Sequence, residues 1–92
     1  MIKSWKHKGL QKFFETGSTS GIVTHHAAKL RVRLDALNKA AKIEDLSFPG
    51  YRLHPLKGSL SGLWSITVTA NWRLTFEFEN GNVYILNYED YH

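Results

Sequence analysis

The sequence predicts an α+β domain in which two helices near the amino terminus pack on one face of a twisted, mainly antiparallel sheet. In the first half of the chain apolar residues recur at helical spacing, and in the second half they alternate with polar residues. Asn80 and Gly81, a pair that favours the type I′ turn of a β-hairpin, stand between two of the alternating segments. Helices followed by a run of strands are typical of this fold class.

Size and composition favour one small soluble domain. Ninety-two residues support a single hydrophobic core, so residues 1–92 are expected to form one functional domain. Because 42% of the residues are hydrophobic and none is cysteine, the core needs no disulfide, and thiolate metal sites are excluded. The amino terminus lacks the apolar run of a signal peptide, and no stretch is long enough to span a bilayer. A cytoplasmic protein is therefore expected, and a net charge of +4 favours a polyanionic partner.

Two elements are predicted ahead of the main helix. Residues 2–5 alternate in polarity and are expected to pair at a sheet edge. Leu10, Phe13 and Phe14 then follow at i, i+3 and i+4, which predicts a helix with one apolar face. Gly17 suits the position just past the end of this helix, where a left-handed backbone is common.

The clearest helical pattern covers residues 24–41, with Thr24 as the expected N-cap. Its buried side is predicted to consist of apolar residues at helical spacing: Ala27, Leu30, Leu34, Leu37 and Ala41. Its outward side is predicted to carry His26, Lys29 and Arg33 as a basic stripe. This stripe is either a binding surface for a polyanion or an ordinary solvated helix face, and the second interpretation describes most such stripes.

Four alternating segments are predicted as strands after a loop at residues 42–50. They cover residues 51–56, 63–69 and 72–78, and a final segment that starts at Val83. Short turns connect consecutive strands, so the sheet is expected to be an antiparallel meander. Residues 83–86 are expected to be buried, which would hold the last residues of the chain close to the sheet.

Polar residues on the outward side of these strands form a candidate site. Each of them is predicted to lie on a strand or near a strand end: His54, Lys57, Arg73, Asp90, Tyr91 and His92. Cleavage of RNA without a metal requires a base for the proton of the 2′-hydroxyl, a cation for the phosphorane and an acid for the 5′-oxygen. Two histidines, an arginine and a lysine supply these roles, because imidazole changes protonation near neutral pH and the two cations bind phosphate.

Four of these residues are candidates for proton transfer, for orienting an imidazole or for stacking on a base. His54 and His92 are the candidates for the acid and the base, and either can take either role. Asp90 can orient an imidazole or transfer a proton itself, and Tyr91 can stack on a base. Each residue type also has an ordinary structural alternative, since a histidine or lysine near a strand end is usually solvated and an arginine within a strand usually pairs across it.

The other three histidines are expected to be surface residues. They are His7, His25 and His26. Because His25 and His26 are adjacent, their rings cannot share one helical face, which argues against a zinc site.

Four stretches in the second half of the chain, together with the opening residues 1–4, carry a resemblance to a known family. The stretches are His-Pro-Leu-Lys-Gly at 54–58, Trp-Ser-Ile-Thr-Val at 64–68, Ala-Asn-Trp-Arg-Leu-Thr-Phe at 70–76, and Tyr-Ile-Leu-Asn-Tyr-Glu-Asp-Tyr-His at 84–92. In these motifs and in their order the chain resembles the HigB toxins, plasmid-maintenance killer proteins of the RelE superfamily. The resemblance extends over the whole chain and is weakest over residues 16–48.

The resemblance implies a bacterial toxin of a type II toxin-antitoxin system with the RelE-like fold. Such a toxin enters the ribosomal A site and cleaves messenger RNA during translation, and a helix-turn-helix antitoxin of the HigA type neutralises it. No metal or other cofactor is expected. The catalytic positions of the family correspond to His54, Asp90, Tyr91 and His92, and Lys57 and Arg73 are the expected phosphate-binding neighbours.

Two other classes of protein remain open. A non-catalytic domain that binds RNA or the ribosome would use the same basic and aromatic surface without needing His54 and His92 together. A transcriptional regulator or antitoxin would need a recognition helix for the major groove. The predicted helix over residues 24–41 is too long, and too apolar on its buried side, to suit that role.

Overall fold

Two helices pack against a four-stranded sheet in the computed structural model, which describes residues 1–91. The helices are α1, Lys8–Thr16, and α2, Ala27–Lys39, and the strands are β1, His54–Pro55, β2, Trp64–Thr69, β3, Trp72–Glu79, and β4, Asn82–Asp90. Single-turn 3₁₀ helices lie at Thr24–His26, Ile43–Leu46 and Gly58–Leu60. Each strand pairs antiparallel with the next strand along the chain. The predicted α+β class is confirmed.

The hydrophobic core lies between the helices and the three longer strands. Its fully buried apolar side chains come from each of these elements: Leu10, Phe13, Leu30, Leu34, Leu37, Ile66, Val68, Leu74, Phe76, Val83 and Leu86. The buried sides predicted for the two helices are thereby confirmed at Leu10, Phe13, Leu30, Leu34 and Leu37. Among the described residues, no helix has both the length and the apolar character needed to cross a bilayer.

Helix α1 begins at a histidine cap and ends at a glycine. The His7 Nδ1 accepts a hydrogen bond from the Leu10 N–H at 2.9 Å, which satisfies an amide of the first turn that has no partner within the helix. Gly17, at φ 82°, donates its N–H to the Phe13 carbonyl, as predicted for this position. The expectation that His7 is a surface residue is wrong, because its half-buried ring caps the helix and meets the Tyr88 ring edge-on.

Helix α2 is shorter than the helix predicted over residues 24–41. The first turn of the predicted helix is the separate 3₁₀ helix at Thr24–His26. At the other end, Ala40 has an extended backbone, which ends α2. The expectation that Thr24 caps the helix through its side chain is wrong, because helical turns already begin at this residue and no side-chain cap is present.

The basic stripe predicted for α2 is wrong at two of its three positions. His26 is only 2% exposed and lies in the core. Arg33 donates from Nε to the Thr67 carbonyl at 2.7 Å, and its guanidinium carbon lies 4.5 Å from the centroid of the Tyr51 ring. The Thr67 N–H donates to the Tyr51 carbonyl at 2.7 Å, so Arg33 and Tyr51 together cover the outer edge of β2. Lys29 is exposed, as expected.

The strand predictions are confirmed for β2, β3 and β4 and are wrong for most of residues 51–56. Strand β1 contains only His54–Pro55, because Arg52 has a φ of 51° and bends the chain before pairing begins. The predicted hairpin turn is present, since Asn80 and Gly81 both have positive φ, 52° and 78°, as a type I′ turn requires.

A bulge in β4 interrupts its ladder with β3. Glu77 pairs with Tyr84, whereas Thr75 pairs with Asn87, so β4 contains one extra residue between these two pairs. Ile85 lies in the bulge with a φ of 47°, a value that is rare for a β-branched residue. From this point to the end of β4 the register is shifted by one residue.

The amino-terminal segment holds this bulge in place. The Ile85 N–H donates to the Ser4 Oγ at 2.7 Å. Ile2 and Trp5 form parallel bridges with Val83 and Leu86, which confirms the prediction that residues 2–5 pair at a sheet edge. The expectation that residues 83–86 are buried holds for Val83 and Leu86, at 0% exposed, but is wrong for Ile85, which is 42% exposed because the bulge turns it outward.

A polar pair lies inside the core. The His26 Nδ1 is 2.6 Å from the Tyr88 hydroxyl oxygen, and the two residues are 2% and 4% exposed. That hydroxyl accepts a hydrogen bond from the Val23 N–H at 3.3 Å, so it can donate its own proton to a neutral His26. Burial lowers the pKa of His26 below its ordinary value, and the nearby His25 and Lys29 lower it further. The expectation that His26 is a surface residue is wrong, because its ring is buried against Tyr88.

We expect the free energy of unfolding to decrease as the pH falls through the range in which free histidine titrates. Because the pKa of His26 is lowered by folding, the unfolded chain protonates first, near its ordinary value of about 6.5. The stabilisation is therefore complete above that value and is lost as the pH falls toward the folded pKa. Burial also lowers the pKa of His7, which acts in the same direction.

Urea unfolding at about pH 7.5 and about pH 5.5 measures this effect. His26→Gln should reduce the stability difference between the two pH values. His25→Gln, a change at the exposed neighbouring histidine, should retain most of it, because burial is the largest cause of the lowered pKa of His26. An unchanged difference in His26→Gln would contradict the assignment to His26.

Candidate active site

The sheet face that carries the candidate residues is crossed by two rows of paired residues. The rows consist of residues that are direct partners on neighbouring strands: His54, Ser65, Thr75 and Asn87 in the first, and Thr67, Arg73 and Glu89 in the second. Direct partners, and residues two apart on one strand, have their side chains on the same face. His54 and Arg73 therefore share this face and lie two strands apart, roughly 10 Å by the usual strand spacing.

Arg73 is held on this face by an aromatic ring and a carboxylate. Its guanidinium carbon lies 4.3 Å from the centroid of the Tyr91 ring, in a cation–π stack. Its Nη2 donates to the Glu89 Oε2 at 3.4 Å. The side chain is 12% exposed, and its Nε is buried with no hydrogen-bond partner among the described residues. Only Nη2 of the two terminal nitrogens has a hydrogen-bond partner among the described residues, so the guanidinium keeps donors suited to bind an anion such as phosphate.

The His54 ring is held in one tautomer by the backbone. Its Nδ1 is 2.7 Å from the Arg52 carbonyl oxygen, and because a carbonyl only accepts, Nδ1 carries the proton. The Nε2 of the neutral ring is then unprotonated and can accept a proton from a substrate. Arg52 has the left-handed φ of 51° noted above, which directs its carbonyl toward the ring. His54 is exposed, so a substrate can reach it.

Lys57 and Asp90 are both exposed at the ends of strands. Lys57 directly precedes the 3₁₀ helix Gly58–Leu60, two residues after β1 ends. Asp90 is the last residue of β4 and pairs with Trp72, so strand alternation places it on the side of the strand opposite to Glu89.

Tyr91 is the last residue of the described chain. Its N–H donates to the Asn71 carbonyl at 3.0 Å, which fixes the backbone beside the ring that stacks on Arg73. The structure thus brings Arg73 and Tyr91 into contact, with His54 on the same face and Asp90 at the strand end. His92, the sixth candidate residue, lies outside the described residues.

Comparison with known proteins assigns the chain to a family. A family model described as the RelE-like toxin of the type II toxin-antitoxin system HigB matches residues 3–92. The chain belongs to the HigB-like toxin family. The protein named Endoribonuclease HigB from Proteus vulgaris is 56% identical over 92 residues, and the match covers 100% of both chains. The resemblance to HigB toxins is therefore confirmed.

The fold of this HigB-like toxin also has a solved counterpart. The structure titled YoeB/ParE toxin from Agrobacterium tumefaciens superimposes with a TM-score of 0.55 and 21% identity, covering 97% of this chain and 99% of that chain. At that identity the similarity supports the RelE-like fold alone. The expectation that the toxin is an enzyme is confirmed by the Proteus vulgaris relative, whose name is that of an endoribonuclease. As the toxin of a type II system, the chain has an antitoxin as its partner.

Sequence reasoning missed three residues that shape this toxin's site. Glu89 contacts Arg73, Thr75 contacts Glu89, and the Arg52 carbonyl orients His54. Period-two alternation places Glu89 on the same side of its strand as Tyr91, and this signal was available in the sequence. The conformation of Arg52 leaves no such signal, since left-handed residues are usually glycine or asparagine.

Proposed function

We propose that this HigB-like toxin is an endoribonuclease that cleaves messenger RNA in the ribosomal A site and so inhibits translation and growth. The whole chain, residues 1–92, acts as one toxin domain in the bacterial cytoplasm, and a helix-turn-helix antitoxin of the HigA type neutralises it. The 56% identity to a protein named as an endoribonuclease supports the class of reaction. The observation that carries the proposal is an exposed His54, with its Nδ1 bonded to the Arg52 carbonyl, on the same sheet face as the Arg73 guanidinium.

In the proposed reaction His54 is the base. Its Nε2 takes the proton of the ribose 2′-hydroxyl, and the 2′-oxygen forms a bond to the adjacent phosphorus. The bond from phosphorus to the 5′-oxygen breaks, and an acid, assigned to His92, donates a proton to that oxygen. The products are a 2′,3′-cyclic phosphate and a 5′-hydroxyl, so the atoms balance without an attacking water.

The positive side chains stabilise the phosphorane. Arg73 presents a planar group that matches two phosphate oxygens, and Lys57 adds a second charge from the loop after β1. Tyr91 stacks on a base of the RNA through the part of its ring that is exposed, since the residue is 46% exposed. Asp90 orients the imidazole of His92 or takes part in proton transfer itself.

Expression of the toxin alone in a bacterium, followed by growth measurement and mapping of new RNA 5′ ends, tests the proposal. Growth arrest and new ends within translated reading frames are expected. With purified components, cleavage should require ribosomes programmed with the messenger. Equal cleavage of free RNA would refute the dependence on ribosomes but leave a nuclease. Binding to ribosomes without cleavage would favour the non-catalytic RNA-binding domain.

The same cleavage assay tests the chemistry. Cleavage should continue in the presence of a chelator, at a concentration that leaves the ribosomes intact, and the products should end in a 2′,3′-cyclic phosphate or a 3′-phosphate. Products with 3′-hydroxyl ends would refute attack by the 2′-oxygen. They would indicate a metal-activated water, with Asp90 and a histidine as its ligands.

A further inference from the structure

We infer that Glu89 is a positioning residue, which holds the Arg73 guanidinium in the orientation that stabilises the transition state. The inference rests on the proposed ribonuclease function and adds to it a residue outside the candidate catalytic set. Glu89 acts through Arg73 and needs no contact of its own with the RNA.

The contacts of Glu89 fix its carboxylate at both oxygens. Glu89 and Arg73 are direct partners in the β3–β4 ladder. One oxygen, Oε2, accepts from the Arg73 Nη2 at 3.4 Å, and the other, Oε1, accepts from the Thr75 Oγ1 at 3.5 Å. Thr75 is 3% exposed, so one of these contacts is anchored in the interior of the sheet. The carboxylate is therefore tied to the strand that carries Arg73.

The Tyr91 ring alone cannot fix the orientation of Arg73. A cation–π stack at 4.3 Å confines the guanidinium to the plane above the ring, but the attraction permits rotation within that plane. Glu89 engages the edge of the guanidinium at Nη2, at 3.4 Å, which restricts this rotation. Because the contact is a single one and not a bidentate fork, the N–H groups on Nη1 of Arg73 stay available to a phosphate.

Loss of this contact should reduce catalysis more than binding. Arginine has several rotatable bonds, and without an anchor its side chain samples orientations that do not face the scissile phosphate. The positive charge stays on the face, so attraction of the RNA changes little. Stabilisation of the phosphorane depends on the orientation of the donors and therefore decreases.

Steady-state cleavage of messenger RNA on programmed ribosomes tests the inference. Glu89→Ala should lower kcat about 10-fold while KM stays within about twofold. Glu89→Gln, which keeps the shape and one oxygen acceptor, should retain activity within about threefold. Glu77→Ala is the matched control, because it removes the same charge from an exposed position on β3 and should leave activity unchanged. Thermal melting of each variant confirms that it is folded.

A double-mutant cycle separates positioning from other effects. When Arg73 is already alanine, adding Glu89→Ala should cause no further loss, since Glu89 then has nothing to hold. Full activity in Glu89→Ala, an undiminished loss in the Arg73→Ala background, or a rise in KM with kcat unchanged would each overturn the inference. If the parent toxin itself does not cleave RNA, the proposed function fails. If the parent cleaves and only the Glu89 result fails, the proposed function stands.

Discussion

His54→Ala is expected to lower the rate of RNA cleavage by about 10² to 10⁴, because it removes a proton-transfer group from the reacting 2′-hydroxyl. The side chain is exposed, and its Nδ1 hydrogen bond to the Arg52 carbonyl is local, so the fold should survive the change. Single-turnover cleavage on programmed ribosomes measures the rate, and the melting temperature measures the fold.

A second exposed histidine provides the control for this variant. His25 lies in the 3₁₀ helix Thr24–His26, which precedes α2, and it is not a member of either row of paired residues on the sheet. His25→Ala should therefore cleave at the parent rate. A His54→Ala toxin that is folded and cleaves as fast as the parent would show that the base is another group. The tautomer set by Arg52 would then have a purely structural role.

Deletion of His92 is expected to cause a loss of similar size, about 10² to 10⁴ in rate, if this residue is the acid. Tyr91 is already fixed by its N–H bond to the Asn71 carbonyl and by its stack with Arg73, and neither contact involves His92. The truncated toxin should therefore melt near the parent temperature and still bind the antitoxin and the ribosome. Growth after induction and cleavage of messenger RNA are the measurements.

His92→Gln distinguishes the imidazole from the rest of the residue. It keeps the chain length and a polar side chain but cannot transfer a proton at neutral pH. Loss of activity in both variants would assign the acid to the imidazole, and loss in the deletion alone would assign the effect to another group of this residue. Full toxicity after deletion would remove His92 from the mechanism and shift the acid and base roles to His54 and Asp90.

The strands were predictable, but the pairing at their ends was not. The alternation of apolar residues and the Asn80-Gly81 turn are sufficient to predict the β3–β4 hairpin. Counted outward from that turn, an uninterrupted ladder would place Tyr88 opposite Arg73. The structure places Glu89 there, because Ile85 adds one residue to β4. Isoleucine in a left-handed conformation has no signature in the sequence, and its support comes from Ser4 at the far end of the chain.

His26 and Arg33 show a second limit of prediction from periodicity. Helical spacing correctly places Lys29 on the solvent side. It cannot reveal that His26 belongs to a 3₁₀ turn, where the spacing differs and the ring points to Tyr88 in the core. Nor can it reveal that Arg33 finds an unpaired carbonyl on β2. Both errors come from contacts between elements that are far apart in the chain.

The coverage of the sheet edges restricts how any partner can recognise this toxin. The amino-terminal segment forms backbone hydrogen bonds with Val83 and Leu86 of β4, the Arg33 guanidinium occupies the Thr67 carbonyl of β2, and β1 is two residues long with a proline. A proline and a covered edge both oppose the addition of a strand. We therefore expect an antitoxin to bind this protein through side-chain contacts at these positions and not by adding a strand there. For the same reason, copies of the toxin released from their antitoxin are expected to stay separate and not to join edge to edge.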